Sequence, residues 1–417
     1  MAGSRAGLGR SSIAAVAALA LAASSLSAQA NTRARDLGVE LPGTPGPNNA
    51  ITDVGQVAVG QTTIIEGEGR RVRGRGPIRT GVTAILPRGL NGPDSVFASW
   101  YRLNGNGEMT GVAWLEESGI LDTPFLITNT HSVGVVRDAT IGWMLDHRPG
   151  FSFALPVVAE TADALLNDMD GFHVKPEHVA AALDGARGGR VAEGNVGGGT
   201  GMICHGFKGG TGTSSRVVTV GDARYTVGVL VQCNYGSRAR LRVDGVPVGE
   251  AIPMSDVGIC FTIPPDSGTK YRQFIRRCGG SDGASGGGPL EDGSGSIIAV
   301  AATDAPLLPH QLQRITRRVA LAIGRMGGLG ENSSGDIFLA FSTANIAIRR
   351  SDSVVPVSMV PNAMMNPLFD ATVQATEESI LNAMVAAETM VGADGVRVPE
   401  LPHDRLRQLW QAARRQR

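Results

Sequence analysis

The chain has 417 residues, enough for one large domain or two ordinary ones, and 57 of these residues are glycine. Its 38 basic and 38 acidic residues leave no net charge, and the sequence has no cationic stripe. Nucleic acid and anionic membrane surfaces are therefore not expected as partners, because both need an excess of positive charge.

The first thirty residues are typical of a secretory signal peptide. Arg5 and Arg10 form a positive start, residues 13–23 form a short apolar stretch, and Ala28-Gln29-Ala30 supplies small residues at a cleavage site. The apolar stretch is shorter than the ~20 residues that a membrane span needs. We expect an exported chain, periplasmic or secreted, that starts at Asn31. A disordered N-terminus that stays in the cytosol is the alternative.

Strands and helices are predicted in both halves of the mature chain, which favours a layered α/β architecture. The N-terminal half predicts strands at 56–65, 81–86 and 95–103, helices at 157–167 and 175–183, and a strand in YTVGVLVQCNYG. The C-terminal half predicts strands at 296–302 and 337–342 and helices at 309–324, 366–390 and 404–415.

The stretch 246–293 differs in composition from its surroundings. It is rich in Gly, Pro, Ser and Asp and is predicted to be an exposed, mobile segment that a protease can reach. Cys260 and Cys278 both lie within it and can pair in an oxidising compartment. Cys204 and Cys233 lie in apolar runs and are expected to be unpaired, buried small side chains.

Common catalytic motifs do not account for this sequence. G-x-S-x-G occurs around Ser281 and Ser285, but the strand before and the helix after that a nucleophile elbow needs are missing. The run GNVGGGTG contains no phosphate-binding pattern, and the seven histidines show no metal-ligand spacing. A Ser-His-Asp hydrolase stays open, although nothing in the sequence indicates one. No metal or cofactor is expected.

Ser296 is the strongest candidate nucleophile, because Gly295-Ser296 joins the glycine-rich segment directly to a buried strand. A serine whose own α-amine is free needs no histidine, since an N-terminal amine with a pKa of ~7.7–8 is a good general base. The requirements are a flexible segment and a small residue before the cut, and a strand after it. All three are present here, but Gly-Ser before a strand is also a common structural pattern.

Eight segments of the chain resemble one family. They are RARDLGVELPGTPGPNNAITDV, GPIRTGVTAILPRG, VAEGNVGGGTGMI, FKGGTGTSSRVV, RYTVGVLVQCNYG, ATDAPLLPHQL, SGDIFLAFSTAN and VQATEESILNAMVAAETM. The sequence is similar to the L-aminopeptidase/D-esterase and β-peptidyl aminopeptidase family of self-processing serine hydrolases. The resemblance implies a cut between Gly295 and Ser296, giving chains 31–295 and 296–417. It also implies one αββα sandwich, like N-terminal-nucleophile hydrolases with different connectivity, and an oligomer, commonly a tetramer of αβ units.

The resemblance also implies a role for individual residues. Ser296 is the nucleophile, and Ser334 and Asp336 of an SG(D/E) turn support it by relaying a proton and stabilising charge. Asn234 contributes its amide to the oxyanion hole, and Glu160 holds the free amino group of the substrate. Without the resemblance, ordinary turn, cap and solvated-surface roles are the favoured interpretation of these four supporting residues.

One departure from the family concerns the substrate pocket. Members best known for α-amino substrates carry a tyrosine two residues after the glutamate, where this chain has Ala162. A roomier pocket is expected to favour β-amino-acyl or bulky N-terminal residues. The predicted function is an exported aminopeptidase that acts on short peptides, amides or esters with a free amino group. The alternatives are acyl transfer of the ornithine acetyltransferase type and a non-catalytic binding protein.

Overall fold

The protein is described from a computed structural model that covers residues 32–92, 95–264, 275–279, 295–348 and 353–415. The strands of these residues are β1 (Ala58–Glu66), β2 (Ile78–Leu86), β3 (Val96–Arg102), β4 (Ile120–Leu121), β5 (Phe125–Asn129), β6 (Val157–Thr161), β7 (Ile203–Cys204), β8 (Phe207–Lys208), β9 (Gly210–Val220), β10 (Ala223–Asn234), β11 (Cys260–Phe261), β12 (Arg276–Arg277), β13 (Ser296–Thr303), β14 (Ile337–Ser342), β15 (Met390–Val391) and β16 (Val396–Val398). The helices are α1 (Val112–Ser118), α2 (Val133–His147), α3 (Pro176–Asp184), α4 (Val248–Ala251), α5 (Pro309–Arg325), α6 (Asn366–Val385) and α7 (His403–Arg414).

Two sheets form the centre of the fold. One has the strand order β1-β2-β5-β6 and the other has the order β4-β3-β14-β13-β10-β9. Two smaller sheets have the strand orders β12-β11-β16-β15 and β7-β8, and they share no strand with the two main sheets. The two main sheets mix parallel and antiparallel neighbours: β5 and β6 are parallel, as are β13 and β14.

Three apolar layers show how helices cover both sheets. Residues of α2 and α3 pack on one face of the β1-β2-β5-β6 sheet, and residues of α5 and α6 pack on one face of the other sheet. The remaining faces pack against each other: Ile298 and Val300 of β13 lie in the layer that also contains Phe125 and Ile127 of β5. The predicted αββα sandwich is confirmed. A strand buried on both faces reads as a continuous apolar run, as β13 does.

The position of β13 matters most for the site. It pairs antiparallel with β10 on one side and parallel with β14 on the other. A cut before Ser296 would therefore leave the new chain start hydrogen-bonded within the interior of a sheet.

Most predicted elements are confirmed, but the helix predicted at 157–167 is wrong. Residues Val157–Thr161 form β6, parallel to β5, and all five are buried. A short apolar run cannot be assigned to helix or strand by periodicity alone, and here burial within the sheet decides. The helix predicted at 366–390 ends earlier, at Val385. The long helix α2 was not predicted at all.

The structure pairs the cysteines as Cys204–Cys233 and Cys260–Cys278, with Cα atoms 5.6 Å and 5.0 Å apart. The expectation that Cys204 and Cys233 are unpaired is therefore wrong, although both are buried as expected. The sequence does not reveal that the short strand β7 packs against the end of β10, which brings the two cysteines together.

Two predictions fall largely on residues outside the described ranges. One is the signal peptide at residues 1–30. The other is the segment 246–293, predicted to be mobile, of which residues 265–274 and 280–293 lie outside the described ranges. The described part of that segment contains α4, β11 and β12. No helix among the described residues is long and apolar enough to cross a membrane.

Candidate active site

Ser296 begins β13 directly opposite Asn234, the last residue of β10. Its side chain is 6% exposed. Strand pairing with β10 starts at Ser296 itself, and pairing with β14 starts two residues later, at Ile298. The residue thus has the rigid strand support that the sequence predicts for a chain-terminal nucleophile.

The peptide bond before Ser296 requires glycine on its N-terminal side. Gly295 has a φ of 142°, and a Cβ atom there would overlap the carbonyl oxygen of Asn234. The backbone N–H of Gly335 donates to the carbonyl oxygen of Gly295 at 3.3 Å and to Ser296 Oγ at 3.1 Å. A single donor therefore contacts both the carbonyl of the predicted cut and the hydroxyl predicted to attack it.

Ser334 and Asp336 lie in the turn that leads into β14. Because β14 runs parallel to β13, this turn lies beside the start of β13. Ser334 Oγ donates a hydrogen bond to Asp336 Oδ1 at 2.6 Å. Asp336 Oδ1 also accepts one from the backbone N–H of Ile297 at 3.2 Å. Both side chains are fully buried. The structure therefore links the predicted support residues to β13 through the residue that follows Ser296.

Burial raises the pKa of Asp336 to about 6. Hydrogen bonds from Ser334, Asn104 and the backbone of Ile297 act in the opposite direction, because they stabilise the carboxylate. Asp336 is therefore mainly ionised at neutral pH and becomes protonated a little below it. An ionised Asp336 accepts a hydrogen bond from the Ser334 hydroxyl and can stabilise a positive charge nearby.

The side-chain amide of Asn234 is held in one orientation. Its Oδ1 accepts the backbone N–H of Ile203 at 2.8 Å, and its Nδ2 donates to the carbonyl oxygen of Ala162 at 3.0 Å. An asparagine amide carries two N–H donors, and hydrogen bonding to Ala162 uses one. Asn234 also lines the cleft that contains Ser296, so its second donor is available to a bound carbonyl group.

Glu160 lies one residue before the end of β6 and is only 3% exposed, which excludes the solvated helix-face role. Its Oε1 accepts the backbone N–H of Glu108 at 2.9 Å, and its Oε2 accepts the Thr130 hydroxyl. Burial raises its pKa, while these two hydrogen bonds lower it. Both bonds come from neutral donors, so the negative charge of Glu160 is available to a cation in the cleft.

One cleft of about 500 Å³ brings the predicted residues together. Ser296, Gly295, Asn234, Glu160 and Ala162 all line it. Ser334 and Asp336 do not line this cleft and lie buried beside Ser296. The arrangement places a hydroxyl, an amide donor and a carboxylate around one space of substrate size, with a buried acid–hydroxyl pair next to the hydroxyl.

Sequence reasoning missed one segment of the site, residues 103–110 (LNGNGEMT). Asn106, Gly107 and Glu108 line the cleft, and Asn104 contacts Asp336. Thr130 was missed as well. Glycine and asparagine after a strand are ordinary turn residues, so NGNGE alone does not indicate a site. In the structure Gly107 packs closely against the backbone of Gly335.

Comparison with known proteins gives a consistent result across sequence and structure. The model of peptidase family S58 matches residues 49–398. The beta-peptidyl aminopeptidase BapA of Sphingosinicella microcystinivorans is 53% identical over 385 residues, which cover 92% of this chain and 93% of that protein. The protein of the same name from Sphingosinicella xenopeptidilytica is 46% identical over 402 residues, 95% of each chain.

Two solved structures share the fold. The L-aminopeptidase D-Ala-esterase/amidase of Ochrobactrum anthropi, described as a variant of the Ntn hydrolase fold, is 45% identical and superposes with a TM-score of 0.79. The match covers 92% of this chain and 99% of that one. A beta-aminopeptidase from Burkholderia sp. is 43% identical with a TM-score of 0.77, over 91% and 99% of the two chains.

Proposed function

The chain belongs to peptidase family S58 and is a serine aminopeptidase; we propose that it cuts itself between Gly295 and Ser296 and that the released Ser296 is its nucleophile. The observation that carries this proposal is the position of Ser296, which begins a central strand and lines the same cleft as Glu160. Ser296 thus reaches a carbonyl group while Glu160 holds the amino group of the same substrate.

Self-cleavage proceeds by attack of Ser296 Oγ on the carbonyl carbon of Gly295. The new C–O bond forms, the C–N bond to Ser296 breaks, and the nitrogen takes up the proton that Oγ loses. Gly335 N–H, which donates to the Gly295 oxygen, stabilises the negative charge that develops there. Water then hydrolyses the ester and releases Gly295 as a carboxylate. The second chain, 296–417, has 417 − 295 = 122 residues.

Turnover of a substrate uses the new α-amine of Ser296. The amine accepts the proton of Oγ through the Ser334 hydroxyl while Oγ attacks the carbonyl group of the N-terminal residue. Asn234 donates to the oxyanion, and the ionised Asp336 stabilises the ammonium that forms. The leaving amine takes the proton from that ammonium. Water then attacks the acyl-enzyme, and the amine acts as base a second time.

Glu160 supports the exopeptidase character of this reaction. Its buried carboxylate accepts hydrogen bonds from a backbone N–H and a hydroxyl and can pair with the ammonium of a substrate. A peptide without a free amino group would leave this charge buried and unpaired, which is costly. Only the first residue of a peptide is therefore expected to be released.

Intact-mass measurement tests the proposal most directly. Under denaturing conditions we expect two chains, residues 31–295 and 296–417, when the full sequence is expressed in an exporting host and recovered from the periplasm. A single mass in active enzyme would contradict self-cleavage, and a mass that retains residues 1–30 would contradict export. The same sample in native conditions is expected to give a multiple of the αβ unit.

Assembly into a homo-oligomer, a tetramer of αβ units, is proposed because one apolar surface is open to a second copy. Trp114, Phe153 and Val357 are 47%, 65% and 45% exposed, and all three line one cavity of about 490 Å³. Exposed apolar patches of this kind are typical of protein interfaces.

We expect the enzyme to prefer β-amino-acyl substrates. Ala162 is exposed in the cleft, at the position where family members best known for α-amino substrates carry a tyrosine. The smaller side chain leaves room for the longer backbone of a β-amino-acyl group. The kcat/KM for a β-homoamino-acyl p-nitroanilide is expected to exceed that for L-alanyl p-nitroanilide at least about tenfold, which equals about 1.4 kcal/mol of transition-state binding.

The matched variant for this prediction is Ala162→Tyr, which is expected to move the preference towards the L-alanyl substrate. N-acetylation of either substrate should abolish turnover, because Glu160 then meets no cation. A strong L-alanyl preference of the unmodified enzyme would contradict the proposed substrate class.

A further inference from the structure

The loop of residues 103–108 connects the two halves of the active site. At its start, Leu103 N–H donates to the Asp336 carbonyl oxygen at 2.9 Å. Asn106 N–H donates to the Ser334 carbonyl oxygen at 3.1 Å. At its end, Glu108 N–H donates to the carboxylate of Glu160 at 2.9 Å. The same short loop therefore contacts the support for the nucleophile and the group that holds the substrate amine.

Asn104 makes the most specific contact of this loop. Its Nδ2 donates to Asp336 Oδ2 at 3.0 Å, and its Oδ1 accepts the backbone N–H of Asp336 at 2.6 Å. Oδ1 of Asp336 is already occupied by Ser334 and Ile297. Asn104 therefore binds the one carboxylate oxygen that these two leave open and fixes the backbone of the same residue.

We propose that Asn104 is a positioning residue, which keeps Asp336 ionised and directs its Oδ1 to Ser334. The inference rests on the proposed function, in which Asp336 supports the nucleophile. Asn104 Nδ2 also donates to the backbone carbonyl oxygen of Glu331 at 3.2 Å, which holds the side chain in place. Asn104 does not line the cleft, whereas Asn106 and Glu108 do, so it acts on the reaction through Asp336.

The charges around Asp336 make the hydrogen bond from Asn104 to its carboxylate important. Glu331 raises the pKa of Asp336 by repulsion, although Glu331 itself is paired with Arg240 at 2.9 Å. Burial first, and then the negative charge of Asp336, raise the pKa of the Tyr235 phenol well above its ordinary value, so this phenol stays neutral. In the cut enzyme the Ser296 ammonium adds one positive charge. Asn104 supplies a neutral donor that favours the charged carboxylate without competing for the proton.

The pH dependence of kcat separates this role from a merely structural one. The acid side of the kcat profile contains the Ser296 amine, with a pKa of ~7.7–8 in ordinary surroundings, and Asp336, at about 6 or lower once the ammonium is nearby. Between the two pKa values log kcat falls by about one unit per pH unit, and below both it falls by about two. Saturating substrate is used because its ammonium keeps Glu160 ionised.

The test compares Asn104→Asp with Asn106→Asp, the same isosteric change two residues along the same loop. Asn106 Nδ2 donates to the Ser333 carbonyl oxygen and not to Asp336. The kcat profile bends at two pH values, and the bend at the lower pH reports the pKa of Asp336. In Asn104→Asp the carboxylate of Asp336 loses a hydrogen-bond donor and gains a like charge beside it. We therefore expect this lower bend to move up by about one pH unit or more. In Asn106→Asp the bend should move much less.

An unmoved bend in Asn104→Asp, or an equal movement in the two variants, would overturn the inference. If Asn104→Asp does not fold or remains uncut, Asn104→Ser, which keeps a small donor, is measured instead and is expected to give a smaller rise in the same direction; no rise would overturn the inference. The parent enzyme provides the separate check on the proposed function: if it is not cut at Ser296, or shows no second bend, that function fails and not only the role of Asn104.

Discussion

Replacing Ser296 by alanine is expected to leave the chain uncut and to abolish aminopeptidase activity. Alanine lacks the hydroxyl that attacks Gly295, so no free α-amine forms, and it also lacks the oxygen that would carry the acyl group. Loss of a serine nucleophile lowers kcat by about 10⁴-fold or more. The measurement is intact mass, for the cut, together with release of p-nitroaniline, for activity.

Ser294→Ala is the matched control for this variant. Ser294 precedes the nucleophile by two residues and lies outside the described residues, and cleavage after Ser294 or before it would leave extra residues ahead of Ser296. We expect this variant to be cut and active like the parent. Normal cleavage of Ser296→Ala would contradict the assignment of the nucleophile. Ser296→Ala should also keep the parent's fold, because within the described part of the chain the Ser296 side chain makes a single hydrogen bond, accepted from Gly335 N–H.

The layered fold could be predicted because its central strands are buried on both faces. The run from Ser296 to Thr303 is apolar apart from its ends and cannot form an amphipathic helix, and the run from Ile337 to Ser342 behaves alike. The strand Val157–Thr161 was misassigned because helical spacing continues past it into residues that form turns. Strand pairing across the sheet decided its structure, and a local pattern does not contain that information.

The residues of the site were predicted by different means. Ser296 followed from its position between a glycine-rich segment and a buried strand. Ser334, Asp336, Asn234 and Glu160 came only from the resemblance, since a turn, a strand end and an acidic residue have many ordinary uses. The structure explains why they converge: Ser296 faces Asn234 across one strand pair, and the turn before β14 lies beside it because β13 and β14 are parallel.

The loop that contains Asn104 and Glu108 was missed because its importance depends on distance in space alone. Asn104 is 232 residues from Asp336, and Glu108 is 52 residues from Glu160. Neither residue belongs to a motif with a chemical reading of its own. The Cys204–Cys233 disulfide was missed for the same reason, because 29 residues separate these two cysteines and they meet only when β7 packs beside β10.

Replacing Asn234 by aspartate is expected to lower kcat by about 10²- to 10³-fold, the effect of removing one side-chain donor from an oxyanion hole. Aspartate keeps an oxygen that can accept the backbone N–H of Ile203, but it has no N–H to donate to the oxyanion. The negative charge of the aspartate also repels the oxyanion. KM should change little, because Glu160 binds the substrate amine in the ground state and the transition state alike. Steady-state kinetics on a p-nitroanilide substrate measure both values.

The same variant separates turnover from self-cleavage. The oxygen of Gly295 accepts its hydrogen bond from Gly335 N–H, whereas the Asn234 amide donates to the Ala162 carbonyl oxygen. If the two reactions use these different donors, Asn234→Asp will still give the two chains 31–295 and 296–417 by intact mass while its kcat is low. An uncut Asn234→Asp chain that folds like the parent would show that self-cleavage also depends on Asn234. A cut chain with unchanged kcat would instead remove Asn234 from the oxyanion hole and leave that role to backbone donors near Ser296.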